Sequence, residues 1–280
     1  MSIHCPALTV VNGAEFAEVL MTVRISKKID PIWEDWPELR TFPFLHGVTE
    51  RVGGCSSGEY ASLNCDFEGG DTAFSVLENR RRLCAALACD PLNITTTGNG
   101  EPGHIVVVGE AERGAGAGDY FCALKRTKAL MTDLRDTPLF MFAADAVPLI
   151  LFDAQHHACA VVTADIPELK SRLVSSVLFA MNIIYGSRPE ELFAYIGPAA
   201  SEEYVTVNVA DALMKKQGEI GLTVHVNMKE AVERELKQGG VDSQHIFVSN
   251  SCTYKERERF FSLRRQGIYC GRNTVFALLL

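Results

Sequence analysis

Residues 144–163 read ADAVPLILFDAQHHACAVVT, and the stretch holds two short apolar runs separated by a polar turn. The runs Leu149–Phe152 and Cys159–Thr163 are typical of buried strands, because they are short, apolar and bounded by turn residues. His156 and His157 lie between them, where neighbouring side chains would point to opposite faces. The stretch therefore predicts two strands joined by a surface turn. A place in this turn is a simpler interpretation of His156 and His157 than a role as metal ligands.

Further elements are predicted on both sides of this stretch. The same criteria predict strands at Ile105–Val108 and Ile246–Ser249, and helical spacing predicts helices at Ser75–Leu87, Pro167–Tyr185 and Met228–Lys237. The glycine-rich loop Gly114–Gly118 has the spacing GxGxG and not the dinucleotide-binding GxGxxG, and Asp119–Phe121 after it resembles a strand. Strands and helices alternate without a regular βαβ rhythm, which indicates an α+β fold.

Bulk composition excludes several classes of protein. Hydrophobic residues make up 47% of the 280 residues and charged residues 22%, as in ordinary globular proteins. The net charge of −8 argues against a nucleic-acid-binding face, since phosphate binding needs clustered Lys and Arg. No apolar run approaches the length of a membrane span. The nine cysteines form no CxxC pair, and with no signal-like segment they favour a reducing, cytoplasmic location.

Three segments together resemble a known family. Residues 46–54 read HGVTERVGG, residues 144–148 read ADAVP, and the run from Cys252 to Arg272 contains Cys-Thr, Phe-Ser-Leu-Arg and Gly-Arg elements. They resemble the laccase-domain family, also called multicopper polyphenol oxidoreductases. The resemblance runs roughly from Ile25 to the end of the sequence. It implies a single α+β domain over residues 1–280, with mixed β-sheets flanked by helices and a last strand at Thr274–Leu280.

The resemblance also implies a reaction and a metal. Members of the family act on purine nucleosides by phosphorolysis or deamination, were first described as polyphenol oxidases, and in some cases edit peptidoglycan precursors. They place a His, a Cys and a second His around one metal. The corresponding positions here are Glu112, Ala146 and Thr163. An Ala methyl and a Thr hydroxyl cannot replace a thiolate or an imidazole on zinc. We therefore expect no zinc or copper cofactor.

The expected function follows from a retained scaffold and a lost metal set. The chain is interpreted as a divergent member that binds a small polar or anionic ligand, such as a purine nucleoside or a phosphate-like group. Arg51 would offer a planar fork to a phosphate or carboxylate, beside the backbone amides of Gly53 and Gly54. The full set of expected ligand-binding residues is Arg51, Asn64, Ser262, Arg264 and Arg272. Ser262 and Arg264 would share one face of a strand.

An alternative interpretation keeps catalysis. Glu112, Asp145 and Asp165 could converge as acid/base groups, or as ligands of a hard cation such as Mg²⁺. Whether these carboxylates meet at one point separates an enzyme from a binding protein. The expected partner is a small molecule, with neither nucleic acid nor membrane involved, and the chain could be a monomer or a homodimer.

Overall fold

The computed structural model describes residues 30–98, 104–125, 127–208 and 223–280. Its strands are β1 Trp33–Glu34, β2 Phe44–Thr49, β3 Thr95–Thr96, β4 Ile105–Val107, β5 Ala129–Thr132, β6 Leu139–Ala143, β7 Val147–Asp153, β8 Ala158–Ala164, β9 Phe193–Ile196, β10 Thr206–Asn208, β11 Thr223–His225, β12 Ile246–Val248 and β13 Asn273–Leu279. Its α-helices are α1 Ala73–Leu87, α2 Ile166–Lys170, α3 Leu173–Tyr185, α4 Met228–Gln238 and α5 Leu263–Gln266.

Most strands form two mixed sheets. The first has the order β1-β2-β13-β6-β3, and the second has the order β12-β9-β7-β8-β5-β4. β7 and β8 pair antiparallel along their whole length, whereas β4 with β5 and β9 with β12 are parallel pairs. β10 and β11 form a small separate ribbon. Helices thus accompany mixed sheets, and the predicted α+β class is confirmed.

The side chains of β7 alternate between two hydrophobic cores. Ile150 and Phe152 face the first sheet and join a core between the two sheets. Leu149 and Leu151 face the other way, into a core closed by α3 and α4. Because both faces of this strand are covered, its sequence is a continuous apolar run and not an alternating one. A third core lies between the first sheet and α1, so the layers are helix, sheet, sheet, helix.

Two predicted elements differ in the structure. The long helix predicted over Pro167–Tyr185 is two helices, because Arg172 adopts a left-handed conformation with φ of 57°. Left-handed backbone interrupts helical hydrogen bonding, and a non-glycine residue in this conformation carries no marker in the apolar periodicity. The strand predicted at Asp119–Phe121 is instead a short 3₁₀ turn over Tyr120–Cys122, capped by the Asp119 carboxylate.

The last strand lies in the middle of the first sheet. β13 pairs antiparallel with β2 on one side and with β6 on the other. It corresponds to the strand predicted at Thr274–Leu280, shifted by one residue. In the described ranges, no helix has the length and apolar character needed to cross a bilayer. The expectation of one domain over residues 1–280 stays a prediction, since it includes residues 1–29.

Candidate functional site

Asp145 is a buried carboxylate that binds the C-terminal segment to the turn between β6 and β7. Its side chain accepts hydrogen bonds from the Thr253 hydroxyl at 2.7 Å, the Ser262 hydroxyl at 3.0 Å and the Arg264 backbone amide at 2.7 Å. Only 3% of the residue is exposed. Three donors compensate a buried carboxylate for its lost water, so this group is well suited to holding the fold together.

Ser262 and Arg264 do not share a strand face. Ser262 is the N-cap of the short helix α5, where its hydroxyl accepts from the Arg265 amide at 3.2 Å. The expected strand is replaced by this turn of helix because the cap and the Asp145 contact both favour it. The Arg264 guanidinium lies 3.9 Å from a carboxylate oxygen of Asp165. Arg264 therefore contacts Asp145 through its backbone amide and Asp165 through its guanidinium.

Glu112 has a different environment. Its carboxylate accepts a hydrogen bond from the Gly109 amide at 3.0 Å and closes its own turn in the loop after β4. Asp165 caps α2 through the Ile166 amide at 2.8 Å. Within the ranges that the structure describes, no three His, Cys, Asp or Glu side chains form a group that could hold a metal ion. Glu112, Asp145 and Asp165 thus do not form such a group.

The three positions that the resemblance assigns to metal ligands do not supply a zinc or copper donor set. Ala146 is half-buried and presents a methyl group. Thr163 lies near the end of β8 and is 5% exposed, with only a hydroxyl to offer. The Glu112 carboxylate is already bonded to its own turn. Zinc and copper in proteins favour imidazole and thiolate, which none of these residues has.

Thr163 instead lines a polar cleft where β5 begins and β8 ends. The cleft has a volume of about 150 Å³. Its walls carry two acids, two cations, several hydroxyls and one aromatic ring, from Asp66, Glu68, Thr97, Gly98, Thr127, Lys128, Phe142, Thr163 and Arg272. Of the residues expected to bind ligand, Arg272 lies here. The acids and the Thr97 and Thr127 hydroxyls are not predicted from the sequence, because they come from separate loops.

Asp66 gives the cleft its electrostatic character. Burial raises the pKa of this carboxyl to about 7, and the neighbouring Glu68 charge acts in the same direction. One carboxylate oxygen accepts a hydrogen bond from the Glu68 amide at 3.0 Å, which partly offsets the effect. Asp66 therefore takes up a proton at a higher pH than an ordinary carboxyl group, and the charge of the cleft depends on pH near neutrality.

A buried arginine supports the wall of the cleft. Arg80, from α1, is 1% exposed and donates to the carbonyl oxygens of Cys65 at 2.8 Å and Gly116 at 2.5 Å. Its guanidinium lies 4.5 Å from the Phe67 ring centre and 5.5 Å from that of Phe142. Burial lowers the pKa of Arg80 to about 10, so it keeps its charge at neutral pH. The loop that carries Asp66 is thereby held by a permanent cation.

Asn64 positions this loop from within. It is fully buried, and its side-chain amide donates to the Asp66 carbonyl and to the Asp71 carboxylate, both at 3.0 Å. Its side-chain oxygen accepts from the Arg272 amide at 3.0 Å. The Arg272 guanidinium donates to the Cys270 carbonyl at 2.8 Å. Asn64 thus orients two cleft residues, Asp66 and Arg272, through their backbone.

Arg51 lines a different, more open cleft of about 680 Å³, together with Arg265 and Glu59. Its guanidinium donates to the Ala61 carbonyl at 2.7 Å and lies 4.6 Å from the centre of the Phe261 ring. The adjacent Gly54 packs against the chain itself, since an added Cβ would lie 2.0 Å from the Ser62 carbonyl oxygen. This close backbone approach, and not a ligand, accounts for glycine at position 54.

Two mixed sheets between helical layers, with a polar cleft at one end of the second sheet, define the class as an α+β protein of laccase-domain architecture. The chain belongs to the multi-copper polyphenol oxidoreductase laccase family, whose model matches residues 45–280. This confirms the resemblance read from the sequence.

Relatives of known name and structure agree with this assignment. The chain is 30% identical to a purine nucleoside phosphorylase of Bacteroides thetaiotaomicron over 239 residues, covering 81% of this chain and 88% of that protein. The structure superposes on YlmD from Geobacillus stearothermophilus with a TM-score of 0.81 and 26% identity, covering 90% of this chain and 97% of that one. YfiH from Bacillus licheniformis gives a TM-score of 0.80 at 27% identity, with the same coverage of both chains.

Proposed function

We propose that the protein binds a small polar or anionic ligand in the polar cleft and has lost the metal-dependent reaction of its family. The observation that carries the proposal is that Lys128 and Arg272 line the same cleft as Thr163, one of the implied metal-ligand positions. Relatives include a protein named purine nucleoside phosphorylase. A phosphate-like group or a purine nucleoside is therefore the ligand class we favour.

The size of the cleft limits which part of a ligand it takes. Sites for drug-sized molecules usually enclose about 300–1,000 Å³. The 150 Å³ of this cleft suits a phosphate or a ribose, and a purine base attached to it would extend beyond the lining residues. The cleft is thus a subsite for the polar end of a nucleoside-type ligand.

The two cations of the cleft are the groups expected to bind an anion. Lys128 and Arg272 carry positive charges, and Lys128 Nζ lies 4.0 Å from a carboxylate oxygen of Glu168. Glu68 is anionic, while the raised pKa of Asp66 leaves that carboxyl partly neutral at pH 7. When Asp66 is protonated, its hydroxyl hydrogen is also a donor to a phosphate oxygen. Binding of an anion therefore favours the protonated form of Asp66, and affinity should fall as pH rises above 7.

A binding titration with two lysine variants tests the proposal. Sulfate is the first probe, since its charge stays constant between pH 5 and 9, and adenosine is the second. Lys128→Gln should weaken sulfate binding at least about tenfold, because it removes a cation while its backbone bonds to His104 and Thr163 remain. Lys237→Gln is the matched control, since Lys237 lies on α4 and pairs with Glu233. If Lys128→Gln binds both probes as tightly as the parent, the cleft is not the site.

The rebuilt-carboxylate alternative is tested with the same protein. The parent is incubated with a purine nucleoside and phosphate, and release of free base or ammonia is followed. The proposal expects no turnover. Glu112→Gln keeps an oxygen that can accept from the Gly109 amide, so it removes the charge of Glu112 and leaves the loop intact. If the parent turns over the nucleoside and Glu112→Gln abolishes that turnover, the protein is an enzyme and the binding-protein proposal is wrong.

A further inference from the structure

A third cavity, with mostly apolar walls, lies beside β1 and the start of β2. It encloses about 520 Å³ and shares no lining residue with the polar cleft. Its apolar walls include Ile32, Trp33, Phe42, Phe44 and Leu45. The volume lies within the range of about 300–1,000 Å³ that is usual for small-molecule sites. Trp33 and Phe42 give the cavity aromatic side chains, which suit a flat ring.

His46 supplies this cavity with a polar group, a neutral imidazole whose tautomer is set by a backbone hydrogen bond. The residue lines the cavity, is 2% exposed and stacks on Phe44 at a ring-centre distance of 5.1 Å. Its Nε2 accepts a hydrogen bond from the Trp36 backbone amide at 3.0 Å, so the ring proton is on Nδ1. Burial lowers the pKa of His46 to about 4, so the imidazole stays neutral at physiological pH.

The charged groups at the cavity cancel each other. The Arg40 guanidinium donates to both oxygens of Asp35, at 2.9 and 2.7 Å. The Arg40 side chain is 65% exposed and that of Asp35 is 10% exposed, so the pair lies at the mouth. A charged ligand would lose its hydration on entering the apolar interior without gaining a counter-ion. The cavity is therefore selective for neutral molecules.

We propose that this cavity binds a small neutral aromatic molecule whose carbonyl oxygen accepts a hydrogen bond from Nδ1–H of His46. The aromatic walls suit the ring, and a carbonyl oxygen suits the Nδ1–H of a neutral imidazole that lines the cavity and already uses its Nε2 as an acceptor. This inference is independent of the function proposed for the polar cleft, because the two cavities have no residue in common.

Two probes of similar shape test the role of the imidazole. Acetophenone has a ring and a carbonyl, whereas ethylbenzene has the ring alone. Titration of the full chain, followed by NMR of the His46 ring nitrogens, should show acetophenone binding about threefold to tenfold tighter, as expected for one hydrogen bond to a neutral donor. The Nδ1–H resonance should move with acetophenone and stay in place with ethylbenzene. Equal affinities, or no binding of either probe at millimolar concentration, would overturn the proposal.

A variant at the mouth tests the location without disturbing the imidazole. Ile32 is 47% exposed and lines the cavity, so Ile32→Trp should fill the entrance and weaken acetophenone binding at least about tenfold. Ile183→Trp is the matched control, because Ile183 is 65% exposed on α3 and lines neither cavity. Unchanged affinity in Ile32→Trp, or an equal loss in Ile183→Trp, would show that the probe binds elsewhere.

Discussion

Replacing Asp66 with Asn should change the way the stability of the protein depends on pH. In the folded protein the pKa of this carboxyl is raised to about 7, from an ordinary value of 3.8. Below pH 3.8 the carboxyl is protonated in both the folded and the unfolded chain, and it contributes nothing to the pH dependence. Between pH 3.8 and about 7 it ionises first in the unfolded chain, which therefore binds fewer protons than the folded chain. The free energy of unfolding must then fall as pH rises through this window.

The size of the effect follows from the two pKa values. A change of one in pKa corresponds to about 1.4 kcal/mol, so the raised pKa of Asp66 corresponds to a loss of about 4 kcal/mol between pH 4 and pH 8. Asp66→Asn cannot ionise and should remove this loss, while its side-chain oxygen can still accept from the Glu68 amide. The variant should therefore gain stability relative to the parent as pH rises, by a few kcal/mol at pH 8.

The assay is urea-induced unfolding of parent and variant at several pH values from 4.5 to 8.5. Asp90→Asn is a close control, because the Asp90 side chain accepts from the amide two residues later in the same way, at 2.9 Å, but is exposed. The difference in the free energy of unfolding between Asp90→Asn and the parent should be nearly independent of pH. If the difference between parent and Asp66→Asn is also constant from pH 5 to 8.5, the Asp66 carboxyl does not carry a raised pKa and the reasoning fails.

Three other predictions concern the framework of the site. Asp145→Ala should lower the free energy of unfolding by about 3–5 kcal/mol in urea titrations, because three donors lose a buried acceptor. Arg80→Met should destabilise by a similar amount by the same measurement, since it leaves buried carbonyl oxygens without a donor. The protein with the combined substitution Glu112→His, Ala146→Cys and Thr163→His should bind zinc more tightly than the parent, measured by zinc titration against a chelator. Equal zinc binding by both proteins would show that these three backbone positions do not surround one point.

The elements that the sequence predicts best are those that are buried along their whole length. β7 and β8 are buried along their whole length, so their apolar runs are visible without any tertiary information. The break before α3 is different, since it depends on the left-handed backbone of Arg172. The residue type does not reveal that conformation.

The candidate site was less accessible to prediction from the sequence. Position 163 could be found, because it falls where the family resemblance implies a His. Asp66 and Glu68 could not, since no periodicity links a loop near residue 66 with a strand near residue 163. Their meeting depends on Asn64 and Arg80, whose hydrogen bonds to the backbone fold that loop onto the cleft. The sequence order of Asn64, Asp66 and Glu68 indicates a turn and nothing more.

The central position of β13 has a consequence for how the chain is made. β2 and β6 both pair with β13, which follows β6 by about 130 residues, so neither has this partner while the ribosome is still adding the intervening chain. Their unpaired backbone groups are open edges of the kind that recruit strands from other molecules. We therefore expect nascent chains stalled before residue 273 to aggregate or to be retained by chaperones, and the first sheet to close only after synthesis has passed β13.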